Sequence, residues 1–130
     1  MSISHSKSWL AIAVSENPVD IPLGIDIEVP KRGRNVLSIA KHSFADEEYQ
    51  ALQKESDPSK TFYLLWTLKE ALCKATSLSL LKVLGLESQA LLSSNQLQCI
   101  GIPSEDYAFS LVASATTKVS QIELTNVLSD

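Results

Sequence analysis

The sequence contains three carboxylates and two lysines whose types and spacing suit a magnesium site for a phosphate-bearing substrate. They are Asp26, Glu28, Lys69, Glu70 and Lys74. Mg²⁺ prefers hard oxygen ligands and is commonly held by a few carboxylates together with substrate phosphates. Neighbouring ammonium groups would help to neutralise the phosphate charge. These residues therefore predict a metal-dependent reaction at phosphorus.

The first two carboxylates fall on one face of a predicted strand, residues 23–29. Because side chains alternate across a strand, branched apolar residues occupy one face, and Gly24, Asp26 and Glu28 occupy the other. The carboxylates would lie about 7 Å apart along the strand, close enough for one metal ion to contact both. Gly24 would allow a ligand to approach the backbone closely. Taken alone, this pattern more often marks a solvent-exposed strand face.

The third carboxylate lies on a predicted helix that begins at Asp57 and Pro58, an N-cap acceptor and a first-turn proline, and runs to about residue 76. One stripe is predicted to face the core: Thr61, Leu65, Leu68, Leu72 and Ala75. A second stripe carries Trp66, Glu70 and Lys74, with Lys69 at its edge. Taken alone, the helix is also typical of an amphipathic surface helix with a Glu–Lys pair.

The remaining segments predict short elements around this helix. Strands are predicted at 9–15, 97–102, 107–113 and 119–124, with a turn at 16–18. Residues 36–55 are predicted to form two helical pieces, the second capped by Ser43 or Asp46, and residues 78–92 a connector with helical turns. Tyr107, Phe109, Leu111 and Ala113 share one strand face. The expected fold is α+β, a small antiparallel sheet packed on one long helix plus shorter helices.

Length and composition narrow the classes of protein. The chain has 130 residues, of which 45% are hydrophobic, and a net charge of −4. One domain is expected, and the acidic balance argues against a general nucleic-acid binder. The apolar runs are too short to span a bilayer, and no basic-then-apolar leader is visible, so a cytoplasmic protein is expected. Cys73 and Cys99 form neither a disulfide framework nor a metal-ligand pattern.

In combination, the motifs resemble the signature of the 4'-phosphopantetheinyl transferases. The run Gly24-Ile25-Asp26-Ile27-Glu28 is followed about forty positions later by Trp66-Thr67-x-Lys69-Glu70-Ala71-x-x-Lys74. The segment 2–6, with its Ser-His-Ser, resembles a segment of the larger, surfactin-synthetase-activating type. The short helix of that type is matched by Phe44, Glu47 or Glu48, and Tyr49. The resemblance covers roughly residues 2–80.

The resemblance implies a role for each matched residue. The implied Mg²⁺ ligands are Asp26, Glu28 and Glu70; Lys69 and Lys74 would lie along the phosphates of coenzyme A, and Ser4 and His5 would contact its 3'-phosphate. The implied catalytic residues are Glu70, as general base, and Lys74. A serine of an apo acyl or peptidyl carrier protein would attack the β-phosphorus, giving the holo carrier protein and 3',5'-ADP. The implied activity is that of a holo-acyl-carrier-protein synthase.

One departure from the family leaves the assembly open. The larger type is a pseudo-dimer of two halves with the site between them, and residues 1–20 here resemble only the end of its first half. The chain is closer in size to the small trimeric type. We expect a single domain that self-associates, as a homodimer or homotrimer. The alternatives are a non-catalytic or partner-dependent half-subunit with an incomplete coenzyme A site, and a metal-dependent phosphate hydrolase.

A cluster of positive charge follows the metal-bearing strand. It comprises Lys31, Arg32, Arg34 and Lys41 in an otherwise acidic chain. Such a cluster is ordinary for a solvated loop. The resemblance offers a second interpretation, a docking surface for an acidic carrier protein, whose association would weaken with salt.

Overall fold

Two three-stranded antiparallel sheets and five helices make up the part of the chain that the computed structural model describes, residues 1–16 and 21–127. The strands are β1 (Ser2–Ser6), β2 (Trp9–Ala13), β3 (Leu23–Glu28), β4 (Leu97–Pro103), β5 (Ala108–Ser114) and β6 (Leu124–Asn126). The helices are α1 (Val36–Ser43), α2 (Asp46–Gln53), α3 (Ser59–Thr76), α4 (Leu80–Leu84) and α5 (Ser88–Ser94). The predicted α+β class is confirmed, with two sheets where the sequence predicted one.

Strand β5 lies at the centre of the sheet β3-β5-β4 and is buried along most of its length. One face of this sheet packs on α3. The other face packs on the second sheet, β1-β2-β6, through an apolar cluster: Ala11, Ile25, Ile27, Phe109, Leu111 and Ala113. The predicted shared face of residues 107–113 is therefore confirmed as a core face. Burial on both sides explains why β5 is apolar or small at nearly every position.

Helix α3 is the central helix, and the single core stripe predicted for it was too narrow. Thr61, Leu65 and Ala75 are only partly buried. The buried residues instead spread around the helix: Phe62, Tyr63, Thr67, Leu68, Lys69, Ala71 and Leu72. The reason is that α3 has the sheet on one side and the shorter helices on another, so two faces are covered. The Phe62 ring stacks on Phe44 at 5.3 Å between centroids.

Strand β3 and helix α3 approach each other closely at Gly24. A Cβ atom at this position would lie 2.1 Å from the carbonyl oxygen of Ala71 and 2.9 Å from the backbone nitrogen of Ala75. The prediction that Gly24 admits a ligand to the backbone was wrong, because the space over the glycine is occupied by the helix. The missing side chain brings the acidic face of β3 against the helix that carries Glu70 and Lys74.

The second sheet is attached to β3 by serine side chains. Alternate hydroxyls of β1 accept hydrogen bonds from alternate backbone N–H groups along the outer edge of β3: Ile25 to Ser2 at 3.1 Å, Ile27 to Ser4 at 3.1 Å, and Val29 to Ser6 at 2.9 Å. Both strands repeat every two residues, so the three pairs stay in register. The serines thus satisfy the edge of β3 and bring residues 2–6 beside its carboxylates.

Several predicted boundaries differ from the structure. The strand predicted at 119–124 is wrong, because β6 lies later and pairs with β2. After β5 the chain turns at residues 115–116, and the carbonyl oxygen of Thr117 accepts a 2.6 Å hydrogen bond from the Gln98 amide. Neither Ser43 nor Asp46 caps α2, which has Ala45 at its N-cap without a side-chain bond. Helix α3 begins at Ser59, after the predicted start. The predicted turn at 16–18 lies mostly outside the described residues.

Within residues 1–16 and 21–127, the structure contains no helix that is both long and apolar enough to cross a membrane.

The contact at Gly24 predicts a strong steric penalty for Gly24→Ala. The new methyl group would meet helix backbone, which cannot move as a flexible side chain can, so we expect the free energy of unfolding to fall by about 3 kcal/mol or more. Urea denaturation would measure this. Gly85→Ala is the matched control, since a Cβ there meets nothing within 4 Å, and should change stability by less than about 1 kcal/mol. Equal stability of the two variants would contradict the packing described.

Candidate active site

Asp26 is the most constrained of the predicted site residues. It is 8% exposed. Its Oδ1 accepts a 3.0 Å hydrogen bond from the Ser4 hydroxyl and lies 3.7 Å from Nζ of Lys74. Its other oxygen, Oδ2, is buried and has no hydrogen-bond partner among the described residues. The expectation of a solvent-exposed acidic strand face therefore does not apply to this carboxylate.

Burial governs the protonation of Asp26. Desolvation raises the pKa of Asp26 to about 7, although the Ser4 hydrogen bond and the Lys74 charge oppose this rise. The negative charges of Glu70 and Glu28 raise the pKa further. Desolvation is also the main cause of a raised pKa at Glu28, and Glu70 contributes to it. The negative charge of Glu70 thus reaches both Asp26 and Glu28 and disfavours ionisation of those two carboxyl groups, an effect that a nearby cation would oppose.

The site has some features of a Mg²⁺ site but no complete cage. Among the residues that the structure describes, no three carboxylate, histidine or cysteine groups are arranged as a preformed metal site. A buried, unpaired carboxylate oxygen beside two further acids nevertheless fits a hard cation. Mg²⁺ usually completes its six oxygen ligands with water and substrate phosphates. The donor set therefore fits an ion that is held jointly with a phosphate-bearing ligand.

Lys74 lies beside Asp26, as the sequence pattern predicted. Its Nζ donates to the carbonyl oxygen of Ile25 at 2.8 Å and to that of Ile3 at 3.3 Å. The side chain remains 35% exposed. Lys74 therefore links α3 to both β3 and β1, and its partly exposed ammonium group keeps a positive charge beside the carboxylates.

Ser4 and His5 lie on opposite faces of β1. Ser4 is buried against Asp26, whereas His5 is exposed. The two residues were predicted to act together on one phosphate, but strand alternation separates their side chains. Only His5 is placed where a ligand could reach it from solvent.

Lys69 is not brought to the other site residues. It is fully buried, and its Nζ forms a 2.7 Å ion pair with Glu48 and donates to the carbonyl oxygens of Leu84 at 2.9 Å and Leu86 at 2.8 Å. The described hydrogen bonds of the ammonium group go to backbone carbonyl oxygens, and the Glu48 carboxylate balances its charge. Its described contacts are with the Phe44 ring, with α2, and with the chain in and after α4. None of them is with Asp26. The contact of Lys69 with coenzyme A phosphates stays a prediction, and the geometry does not favour it.

The partner of Lys69 was missed from the sequence. Glu48 is buried, and its Oε2 accepts from both the backbone N–H and the hydroxyl of Ser88, at 3.1 and 2.6 Å. Burial lowers the pKa of Lys69, while the pairing with Glu48 opposes that shift. The available signal was the match of Phe44, Glu48 and Tyr49 to a family segment, which gave no indication that the glutamate pairs with a lysine of the second motif.

Thr67 was also not assigned a role by the sequence. Its hydroxyl is buried and lies 2.8 Å from that of Ser110 on β5. Since Ser110 is paired with Asp26 in the sheet, this contact fixes α3 relative to the strand pair that carries the carboxylate.

The positively charged loop lies next to the carboxylates. The Arg34 and Lys31 charges lower the pKa of Glu28 against the larger effect of desolvation. The backbone N–H of Lys31 donates to the hydroxyl of Tyr63 at 3.0 Å, which anchors the loop to α3. Lys31 and Arg32 are exposed. The loop therefore holds positive charge at the edge of the site.

A separate cavity of about 470 Å³ lies between the two sheets, away from these residues. Its lining includes Ala11, Leu23, Phe109, Leu111 and Ala113. None of the predicted site residues lines it. The carboxylate of Asp26 instead lies at the junction of β1, β3 and α3, beside Ser4 and Lys74.

The comparison with known families fits this arrangement. The model of the 4'-phosphopantetheinyl transferase superfamily matches residues 22–120. These residues include both acidic motifs and most of the described fold. The chain belongs to the 4'-phosphopantetheinyl transferase superfamily.

Several curated relatives are named as phosphopantetheinyl transferases, and this chain matches part of the length of each. A 4'-phosphopantetheinyl transferase of Bacillus subtilis is 41% identical over 75 residues, which are 56% of this chain and 31% of the relative. A putative 4'-phosphopantetheinyl transferase of Haemophilus influenzae is 34% identical over 83 residues, 63% of this chain and 35% of the relative. The L-aminoadipate-semialdehyde dehydrogenase-phosphopantetheinyl transferase of Saccharomyces cerevisiae is 42% identical over 60 residues, 45% of this chain and 22% of the relative. The matches thus span at most about a third of these relatives.

The buried pair predicts that Lys69 acts mainly on stability. We expect Lys69→Met to lower the free energy of unfolding by roughly 3–5 kcal/mol, because Glu48 is left as an uncompensated buried charge. Chemical denaturation would measure this. Lys60→Met is the matched control, since it breaks only the exposed Lys60–Glu105 pair, which solvent screens, and should change stability far less. A Lys69→Met variant of unchanged stability that no longer binds coenzyme A would instead support the phosphate contact.

The raised pKa of Asp26 predicts a stability that falls as pH rises. In the metal-free fold, Asp26 holds its proton up to about pH 7, whereas the ordinary value is 3.8. The unfolded chain therefore releases this proton first, and the free energy of unfolding should decrease between about pH 4 and 7. Asp26→Asn should remove that decrease, and the exposed control Asp106→Asn should not. Urea titrations with chelator would show it, and identical pH profiles for wild type and Asp26→Asn would refute it.

Proposed function

We propose that this chain transfers 4'-phosphopantetheine from coenzyme A to a serine of an apo carrier protein, with Mg²⁺ as cofactor. The observation that carries the proposal is the environment of Asp26. A buried carboxylate with one free oxygen, near Glu28 and Glu70 and beside Lys74, suits a cation and a pyrophosphate bound together. Membership of the superfamily supports this choice of reaction over simple phosphate hydrolysis.

The acidic residues of the site would bind the metal ion, and the basic residues would bind phosphate groups. Asp26, Glu28 and Glu70 would hold Mg²⁺, which when bound would neutralise negative charge on the pyrophosphate. Lys74 would bind the same phosphates from the helix side, and His5 is available on the exposed face of β1 for the 3'-phosphate. Lys69 lies outside this set because its ammonium group is buried, paired with Glu48 and hydrogen-bonded to backbone carbonyls.

The transfer needs a proton acceptor and correct alignment. The serine oxygen of the carrier would form a bond to the β-phosphorus, and the bond from that phosphorus to the bridging oxygen would break, releasing 3',5'-ADP. Glu70 is partly exposed and would take the serine proton. Phosphoryl transfer relies mainly on positioning and charge neutralisation, and the protein supplies both through the fixed junction of β3 and α3.

The carrier would dock over the positively charged loop. Lys31 and Arg32 are exposed, and Arg34 is partly exposed, directly after the strand that bears Glu28. An acidic carrier surface would be attracted to this loop although the chain as a whole carries a net charge of −4. The attraction would act chiefly on the association rate and would weaken with salt.

A second candidate function is a partner-dependent half of the same fold. The observation that favours it is that the matches cover about a third of the curated relatives. In that case a different chain would complete the coenzyme A site. Self-association of this chain, as homodimer or homotrimer, would instead complete the site of an active transferase.

The test is to incubate the purified protein with Mg²⁺, coenzyme A and an apo acyl or peptidyl carrier protein, and to record the intact mass of the carrier. We expect a gain of one phosphopantetheine arm. Glu70→Gln should reduce the rate by about 100-fold or more, because general-base catalysis is typically worth that much. The exposed control Glu123→Gln should retain the wild-type rate. Modification at equal rates by wild type and Glu70→Gln would refute the role of Glu70.

The same assay tests docking of the carrier on the positively charged loop and the need for a second chain. Arg32→Glu with Arg34→Glu should raise the KM for the carrier and leave the affinity for coenzyme A unchanged, and an unchanged KM at low salt would refute docking on the loop. Failure of wild type to modify several different carriers would favour the partner-dependent half. Measurement of the molar mass in solution would then show whether copies associate.

A further inference from the structure

We propose that Ser4 is a positioning residue that orients Asp26 so that its free oxygen is presented to the metal ion. This inference rests on the proposed function, because it assigns a role at the same site. It differs from the role that the family resemblance implied, in which Ser4 contacts the coenzyme itself.

The hydroxyl of Ser4 makes two hydrogen bonds, one as acceptor and one as donor. Its Oγ accepts a hydrogen bond from the backbone N–H of Ile27 at 3.1 Å and donates one to Oδ1 of Asp26 at 3.0 Å. The N–H of Ile27 belongs to strand β3, so the position of the serine oxygen is fixed by the sheet. A hydroxyl has one proton to donate, and here it goes to the carboxylate. Ser4 therefore connects the backbone N–H of Ile27 to the side chain of the preceding residue, Asp26.

This bond selects which oxygen of Asp26 remains free. Oδ1 receives the serine proton and lies 3.7 Å from the ammonium group of Lys74. Oδ2 is the buried oxygen without a partner among the described residues. Rotation of the carboxylate would exchange the two oxygens or move both away from their present positions. The Ser4 hydroxyl opposes that rotation.

Burial makes a direct contact of Ser4 with coenzyme A unfavourable. Ser4 is 7% exposed, and both of its hydrogen bonds are internal. His5, the next residue, is on the exposed face instead. The geometry thus separates a ligand-facing histidine from a carboxylate-facing serine within one dipeptide.

The chain itself provides matched controls. Ser2 and Ser6 accept backbone N–H groups from Ile25 and Val29 in the same way as Ser4 accepts that of Ile27. Of these three serines, only Ser4 has a described hydrogen bond to a carboxylate. Removal of any one hydroxyl weakens the attachment of β1 to β3, but only removal of the Ser4 hydroxyl frees Asp26.

The experiment measures Mg²⁺ binding by titration calorimetry in the presence of saturating coenzyme A and without a carrier protein, so that no turnover occurs. We expect Ser4→Ala to weaken Mg²⁺ binding by 10- to 100-fold, the usual loss when a hydrogen-bond partner of a metal ligand is removed. Ser2→Ala and Ser6→Ala should bind within about threefold of wild type. Thermal unfolding should show that all three variants are folded at the assay temperature, with the largest loss for Ser4→Ala, which also gives up the bond to Asp26. The difference in Mg²⁺ affinity between folded variants then reports the orientation of the ligand and not the attachment of the strand.

An isosteric pair guards against a variant that fails to fold. Ser4→Thr keeps the hydroxyl and Ser4→Val has the same shape without it, so Ser4→Thr should bind Mg²⁺ at least 10-fold more tightly than Ser4→Val. Equal Mg²⁺ affinity of this pair, or an equal loss in the Ser2 and Ser6 variants, would overturn the inference while wild-type binding still supports the proposed function. Wild-type protein that binds no Mg²⁺ with coenzyme A would overturn both.

Discussion

The site depends on the close contact between the backbone of helix α3 and strand β3 at Gly24. Any side chain at this position would meet the carbonyl oxygen of Ala71. Because the strand lies directly against the helix, the carboxylate of Asp26 reaches the ammonium group of Lys74. Glu70 also lies near enough to raise the pKa of Asp26. The glycine of the first motif and the small alanine of the second are therefore packing residues that allow the charged residues to meet.

Burial of Asp26 is unfavourable for ionisation of its carboxylate, and under the proposed function it would strengthen the binding of a cation. A carboxylate that loses its water and gains repulsion from two other acids favours its protonated form, as the raised pKa shows. A divalent cation would reverse this preference. The same desolvation that disfavours the charged carboxylate would therefore increase the gain from binding a cation together with a pyrophosphate. The Ser4 hydroxyl and the Lys74 ammonium group offset part of the desolvation of the ionised carboxylate.

The sequence predicted the elements more reliably than their environment. Strand β3 and helix α3 follow from alternation and helical periodicity, which are local. Whether the acidic face of β3 is exposed depends on what packs on it, so the burial of Asp26 could not be predicted from residues 23–29 alone. The same limit explains the error at residues 119–124, where alternation suggested a strand but the pairing partner of β2 is the later segment β6.

The two lysines of the second motif show why a signature does not by itself assign roles. Lys69 and Lys74 are five residues apart, so they lie on different sides of a helix with 3.6 residues per turn. One side faces α2 and the buried carboxylate of Glu48, and the other faces β3 and Asp26. Both lysines pair with an acid, but only Lys74 keeps an exposed ammonium group. A short sequence pattern can therefore combine one residue that holds the helices together with another that is available for chemistry, and only the packing around the helix distinguishes them.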